Sequence, residues 1–430
     1  MPPDESNRAF AIEVVARLKE AGFQALWAGG CVRDFLLGRT PKDYDVATDA
    51  RPEAVRQLFG KRKTRAVGAS FGVILVLGSK QADDVEVATF RTEGPYADGR
   101  RPDHVVFCSP EDDAQRRDFT INGMFYDPVE QRVLDFVGGE QDLKAGILRA
   151  IGDPHDRMRE DKLRLLRAVR FTATMDLELD RTTADAVREM ADDIHVVSAE
   201  RITQELRRML LDEHRARAMR LANETGLLPR IFPELEPLLD DSAADDPSGV
   251  WEQTLQMLRL LNEPGFVLAM ATLLSGIGRD GHDRSDETVD VVSSLCRRLR
   301  LSNQEADDIG WLIERKDALV DAKRLSLARL KRLFAHPLAP DLVALNRVER
   351  LAENADLDSV AFCEEYLRNT PAEEINPVPL LTGDDLVASG LSPGRQFKSL
   401  LEAARDAQLN NTISTTDEAL ELVTRMVSGP

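Results

Sequence analysis

The sequence predicts an α/β head followed by an all-α neck, body and tail. Three observations carry that expectation. In the first 140 residues, short apolar or alternating runs bounded by glycine read as strands: 25–28, 44–48, 67–78 and 84–91. Further on, stretches such as 157–171 hold neither Gly nor Pro and repeat their apolar residues at helical spacing. A chain of 430 residues is also too long for one ordinary core. The expected divisions are 1–140 for the head, 141–232 for the neck, 233–375 for the body and 376–430 for the tail.

Composition sets outer limits. With 43% hydrophobic and 30% charged residues the chain reads as globular. No apolar run is long enough to span a bilayer, and residues 1–10 lack the basic-then-apolar pattern of a signal peptide, so the expected location is cytoplasmic with no membrane partner. Cys31, Cys108, Cys296 and Cys363 have no metal-ligand spacing and read as reduced thiols. Cys31 falls in a glycine turn that needs a small residue, and no catalytic role is assigned to it. The net charge of −19 opposes a polyanionic partner only on average, because basic residues cluster at 61–65, 157–170 and 207–220. A basic stripe along the first half is compatible with RNA, as it is with solvated helix faces.

The chemistry begins at the run AGGCVRDFLLGRTPKDYDVAT, residues 28–48. A strand ends at Ala28, a Gly29–Gly30 turn follows, and a helix runs through Val32 to Gly38. Glycines without Cβ let the backbone approach a phosphate closely, and a helix N-terminus favours an anion. Arg33 is placed to reach a phosphate, and Asp34 can buttress the turn. Asp43 and Asp45 are one residue apart on what reads as the next strand, so their side chains share a face. Two such carboxylates can chelate magnesium between protein and triphosphate. On the strand around residues 84–91, Glu86 is the candidate third acid; a plain surface glutamate is the alternative. Residues 90–107 read as a Gly- and Pro-rich loop ending in a short strand, where Arg91, Arg100 and Arg101 can meet phosphates.

Two further clusters complete the candidate set. In DAQRRDFTINGM, residues 113–124, Arg116, Arg117 and Asp118 are expected to lead a helix, with Thr120 and Asn122 close behind. Arginine pairs bidentately with phosphate oxygens, and Asp or Asn can bond a ribose hydroxyl. Residues 157–171 are expected to form one helix, on which Asp161 and Arg164, three apart, share a face beside the seam of Leu163, Leu166 and Val169. Asp accepts from an exocyclic amino group while Arg donates to a ring nitrogen or carbonyl. That polarity fits cytosine and adenine and disfavours uracil and guanine. Arg167 and Arg170 read as phosphate contacts or as partners of Glu160. Ser198 reads as the N-cap of an amphipathic helix in which Glu200, Arg201 and Glu205 are structural.

Taken together, GGCVRDFLLG with KDYDVAT, then RRDFTINGM, then EDKLRLLRAVRF, resembles the class II CCA-adding tRNA nucleotidyltransferase and bacterial poly(A) polymerase family. The resemblance is specific over residues 25–170 and weaker afterwards. It implies a nucleotidyltransferase head built on a mixed five-stranded sheet, magnesium held by Asp43 and Asp45, and nucleotide binding by Gly29, Gly30, Arg33, Arg117, Asp118 and Asn122. It implies base reading by Asp161 and Arg164, with Arg167 and Arg170 nearby. Gly123 departs from the family, which more often has a slightly larger residue there. The implied reaction is attack of an RNA 3′-hydroxyl on the α-phosphate of CTP or ATP, adding CCA to tRNA.

The second half departs further. Relatives often carry a His- and Asp-ligated phosphohydrolase module there, but this chain has Gln253, Ser275 and Gly276 where its ligands are expected, and His282–Asp283 lies at the wrong offset. An amide, a hydroxyl and a glycine cannot replace imidazole and carboxylate, so a degenerate module is expected. Near the end, Arg395 and Lys398 follow Pro393–Gly394, either as a phosphate-binding helix start or as a packing hairpin. Three other readings stay open: poly(A) polymerase, an enzyme adding only CC or only A, and a non-catalytic RNA-binding protein. The oligomeric state is left open.

Overall fold

The computed structural model describes residues 3–68, 72–93, 105–239, 249–278 and 285–428. The chain forms two compact units, Met1–Pro233 and Glu234–Pro430.

The first unit opens with α1 (Pro3–Glu20), β1 (Ala25–Ala28), α2 (Gly30–Leu36), β2 (Asp45–Thr48) and α3 (Pro52–Phe59). It continues through β3 (Thr64–Gly68), β4 (Val73–Val76), β5 (Val85–Thr89), β6 (Arg91–Glu93), β7 (Val105–Phe107), α4 (Pro110–Gln115), β8 (Phe125–Asp127) and β9 (Arg132–Leu134). One mixed sheet has the order β3-β4-β5-β2-β1-β8-β9, in which only β2 and β5 run parallel. The sheet thus has seven strands where five were expected. Of the run expected as one strand over 67–78, residues 67–68 end β3 and 73–76 form β4, which pair antiparallel, and the three-residue strands β8 and β9 extend the far edge. β6 and β7 form a separate antiparallel ladder.

Register decides what each face carries. Val46, Val87 and Ile74 lie opposite one another and are buried, as are Val76 and Val85. Helix α1 packs on β1 and β2, and α3 on β4 and β5, covering that face. The alternate row runs Asp45, Glu86, Leu75, Arg65 across β2, β5, β4 and β3. Its two acids and its arginine are exposed, so the polar ends of the row line the open face.

The rest of this unit is mostly helical: α5 (Gly139–Ala145), β10 (Ile147–Leu148), α6 (Pro154–Glu160), α7 (Leu163–Thr174), β11 (Glu178–Leu179), α8 (Arg181–Glu189), α9 (Ala199–Leu210), α10 (Arg215–Glu224) and α11 (Leu227–Ile231). Helix α7 is its axis. Leu165, Leu166, Ala168 and Val169 are fully buried, and α9 and α10 pack against it. The expected single helix over 157–171 is broken: Asp161 is extended, at φ −144° and ψ 106°, between α6 and α7. A three-residue 3₁₀ turn, Thr120–Asn122, follows α4 and packs on α5.

Two glycines there are packing glycines. A Cβ on Gly139 would lie 2.3 Å from the Thr120 carbonyl oxygen, and one on Gly123 2.7 Å from Val137 Cγ2. The Gly123 departure is therefore matched by larger neighbours and does not loosen the turn. Gly139→Ala is expected to destabilise the first unit by about 1–3 kcal/mol or more, because the obstacle is backbone. Chemical denaturation followed through that unit's transition checks it.

The second unit is helical: α12 (Val250–Leu260), α13 (Phe266–Leu274), α14 (Ser285–Arg298), α15 (Asn303–Arg315), α16 (Leu327–Phe334), α17 (Ala339–Ala352) and α18 (Asp358–Asn369). Then come α19 (Ala372–Ile375), α20 (Gly383–Ala388), α21 (Gln396–Leu409) and α22 (Thr416–Ser428). Leu381, Leu386, Leu400, Ala404, Ala419 and Val423 close a small core of the last segment, with Leu391 and Phe397 packed on it, while Pro393, Gly394, Arg395 and Lys398 are exposed. No helix among the described residues is long and apolar enough to cross a membrane.

Candidate active site

The register that pairs Trp27 with Val46 brings the Gly29 turn to the same end of the sheet as Asp45. Asp45 opens β2 and faces Glu86 on β5, while Asp43 lies in the bend just before the strand rather than on it. Tyr44, between the two aspartates, points the other way. It is 5% exposed and its ring is 4.7 Å from that of Trp27, so the acids on either side turn outward.

Asp45 reaches solvent, yet enough protein surrounds it to strip part of its water. That loss, then repulsion from Glu86, partly offset by Arg117, with Asp43 adding to the repulsion, pushes its pKa up to about 6. Such acid crowding with one compensating arginine is relieved by a cation. Among the described residues no group of three or more acid, His or Cys side chains forms a ready-made metal cage. Hard cations at phosphate sites take many of their oxygen ligands from substrate and water, so Asp43, Asp45 and Glu86 would have to supply only part of a coordination shell. Cys31 behind them is inert: burial, with Asp45 adding, pushes its thiol up to about 12.

The glycine turn is shaped for close approach. Gly29 has φ +72°, and a Cβ there would meet the Arg117 guanidinium at 2.9 Å. Arg116 and Arg117 follow α4 instead of leading a helix; both are held by the buried Asp113, at 2.7 and 2.9 Å. Arg33 donates to Asp34 and, at 2.7 Å, to Asn122 Oδ1. Asn122 donates in turn to Asp118 Oδ1 at 3.0 Å, and Asp118 Oδ2 accepts from Arg167 Nε at 2.9 Å.

Asp118 and Asn122 are therefore buried links between the arginines. Burial alone would raise the Asp118 pKa, but Arg167, the Asn122 amide and Arg164 more than offset it and hold the carboxyl below the ordinary range. Three guanidiniums, of Arg33, Arg167 and Arg170, surround the Phe171 ring at 5.4, 5.2 and 3.9 Å. Arg170 is paired with the buried Glu205, so neither it nor Arg167 is a partner of Glu160.

Asp161 and Arg164 do not pair. With Asp161 outside the helix, Arg201 of α9 donates to it at 2.6 Å. Arg164, 7% exposed, donates to Glu160 at 2.6 Å, to the Arg157 carbonyl at 2.8 Å and to the Arg116 carbonyl at 3.1 Å. The last bond ties α7 to the arginines behind the glycine turn. Arg91 is placed on β6, whereas Arg100 and Arg101 lie outside the described residues.

Residues 25–149 match the family described as Poly A polymerase head domain, and 176–239 the one described as Probable RNA and SrmB- binding site of polymerase A. The chain is 38% identical to poly(A) polymerase I of Haemophilus influenzae over 54% of its own length and about half, 54%, of that enzyme. It is 41% identical to the CCA-adding enzyme of Lactococcus lactis subsp. cremoris over 95% of its length and 93% of that protein. The chain belongs to the family of CCA-adding enzymes and bacterial poly(A) polymerases. A solved structure of the Bacillus stearothermophilus CCA-adding enzyme in complex with CTP superposes with a TM-score of 0.75 at 27% identity, covering 100% of this chain and 98% of that one.

The sequence reading does not single out Asp113, Phe171 or the tie from Arg201 to Asp161. Asp113 had a signal: an acid three and four residues before two arginines. The other two arise from helix packing and have none. In the second unit, Gln253 lies on α12, and Ser275 donates to the Thr272 carbonyl while its own carbonyl accepts from Lys316 at 2.6 Å. A Cβ on Gly276 would strike Leu238 and Val250 within about 3 Å. His282 and Asp283 lie outside the described residues.

Proposed function

We propose that this chain adds C and A, as CCA, to the 3′ end of tRNA from CTP and ATP, releasing pyrophosphate without a nucleic-acid template. The observation that carries this reading is the row of acids, with Asp45 opposite Glu86 on parallel strands and Asp43 beside them, at the mouth of the Gly29–Gly30 turn. The near full-length likeness to a CCA-adding enzyme supports CCA as the product.

Asp43 and Asp45, with Glu86, would hold magnesium, which when bound lowers the pKa of the RNA 3′-hydroxyl and neutralises charge on the leaving group. The glycine turn offers backbone N–H groups and the α2 N-terminus to the triphosphate. Arg33 and Arg117, fixed by Asn122 and Asp113, orient it, and Arg167 and Arg170 add positive charge through the Phe171 cluster. Asp118 and Asn122 act as positioning residues that keep these arginines in register. Asp161 would accept from the exocyclic amino group of C or A, and Arg164 would donate to the ring.

Asp161→Ala is expected to cut the preference for CTP over UTP by roughly tenfold to a hundredfold, the scale of one lost base-edge contact. Single-nucleotide incorporation with each triphosphate measures it. We also assign the head to 1–140, neck to 141–232, body to 233–375 and tail to 376–430, with the body a scaffold without phosphohydrolase chemistry.

A second reading, poly(A) polymerase, is favoured by the 38% identity to the Haemophilus influenzae enzyme over 54% of this chain. Incubating the protein and magnesium with tRNA transcripts ending before, within and just short of CCA, with CTP, ATP or both, separates the two. Addition of CCA and then arrest is the expected result. Long A tails on tRNA and on a generic RNA alike would establish the second reading, and CC or A alone a specialised enzyme.

A further inference from the structure

The open face of the sheet has two sides relative to the acids. On the β1 side stand the glycine turn, Arg33 and Arg117, the groups suited to a triphosphate. On the β5 side the acid row continues through Leu75 to Arg65 on the edge strand β3. In a phosphoryl transfer the attacking and leaving oxygens are roughly in line on opposite sides of phosphorus. With pyrophosphate leaving toward the glycine turn, the RNA 3′-oxygen must enter from the side of Glu86.

What lies along that approach is specific. Arg65 is exposed on the same face as Asp45 and Glu86 and has no acidic partner among the described residues. Strands are spaced about 4.8 Å apart, so its backbone is roughly 10 Å from that of Glu86. The intervening Leu75 is half-buried and uncharged, as are Ala88 and Val73 in the next row, while Ala47, at the β2 end of that row, is buried in the cluster with Leu26, Phe90 and Phe125. Lys61, Arg62 and Lys63, exposed in the turn that leads into β3, make this edge positive in a chain of net charge −19. An uncharged floor ending in a cation, leading away from the metal-binding acids, suits a polyanion whose end reacts at those acids.

We propose that the terminal strand of the RNA crosses the open face over β5 and β4, and that Arg65 grips one of its phosphodiesters. The inference rests on the proposed nucleotidyl transfer and extends it with a primer-contacting residue. The edge position makes Arg65 replaceable without loss of core.

The test measures equilibrium binding of a tRNA transcript lacking CCA across a series of salt concentrations, for wild type, Arg65→Ala, Arg65→Glu and Arg65→Lys. Steady-state KM values for tRNA and CTP are measured alongside. Arg65→Ala is expected to weaken tRNA binding roughly tenfold, the scale of one charge-assisted hydrogen bond. Its log-affinity against log-salt slope is expected to become shallower by about 0.7–0.9, one phosphate contact, with KM for CTP unchanged. Arg65→Glu loses more, and Arg65→Lys recovers most of the slope. Wild-type affinity and slope in both Arg65→Ala and Arg65→Glu would overturn the proposal, as would an equal rise of both KM values. If wild type binds tRNA but extends nothing, the proposed function fails, while the binding series still decides the role of Arg65.

Discussion

Asp45→Asn is expected to lower nucleotidyl transfer at least about a hundredfold to a thousandfold, the scale of losing one electrostatic element at a transition state. The replacement keeps the shape of the side chain and removes the charge that a divalent cation would meet. RNA binding in the absence of metal should hold or tighten, because a negative charge facing phosphates is gone. That divergence, with turnover lost and binding kept, separates a metal-binding role from a structural one. Asp43→Ala should behave alike. Full activity in either protein, measured by extension of tRNA with CTP, would remove the metal assignment.

Asp118→Ala carries the second large effect. Asp118 is 8% exposed and accepts from Arg167, Asn122 and the Phe119 backbone, so its loss leaves a guanidinium short of its counter-charge beside two others around Phe171. Breaking a buried pair by removing one partner costs about 3–5 kcal/mol; with Arg167 partly exposed, roughly 2–4 kcal/mol is expected. The Asn122 amide loses its acceptor, so its hold on Arg33 slackens and KM should rise for CTP and ATP together, leaving base choice unchanged. Because the folded-state pKa of Asp118 is depressed, its contribution is complete above the ordinary carboxylate value, about 3.9, and is lost as pH falls through the lower folded value. The variant's stability should thus fall less steeply on acidification. Denaturation midpoints for the first unit across pH, with KM for both nucleotides, check both parts.

The site was legible where chemistry follows the strand period or a short motif. The alternation of Asp43, Tyr44 and Asp45 held even though the ladder begins only at Asp45, because Tyr44 is drawn onto Trp27. Glu86 was read onto a strand of its own, and the register places it opposite Asp45. The glycine turn announced itself by composition.

Illegible features depend on contacts distant in sequence. No Gly or Pro marks the break at Asp161; the tie to Arg201, forty residues on, belongs to helix packing. Strands of three residues, as at Phe125–Asp127 and Arg132–Leu134, are too short for a period to register. The misplaced helix near Arg116 was avoidable: Ser109, Pro110 and Asp112 form a capping box with proline at its first turn, which starts the helix six residues earlier.

The most direct test of the acid row as a divalent-cation site is thermal melting of wild type and Asp45→Asn with and without magnesium, from mildly acidic to neutral pH. The folded-state pKa of Asp45 is raised to about 6, so between its ordinary value and about 6 the folded protein holds the extra proton. Metal-free stability therefore falls as pH rises through that window and stays reduced above it. Magnesium should recover the loss above about pH 6 in wild type, do little well below it, and do little in Asp45→Asn at any pH. An equal magnesium shift in both proteins, or one independent of pH, would contradict the assignment of the cation to these acids.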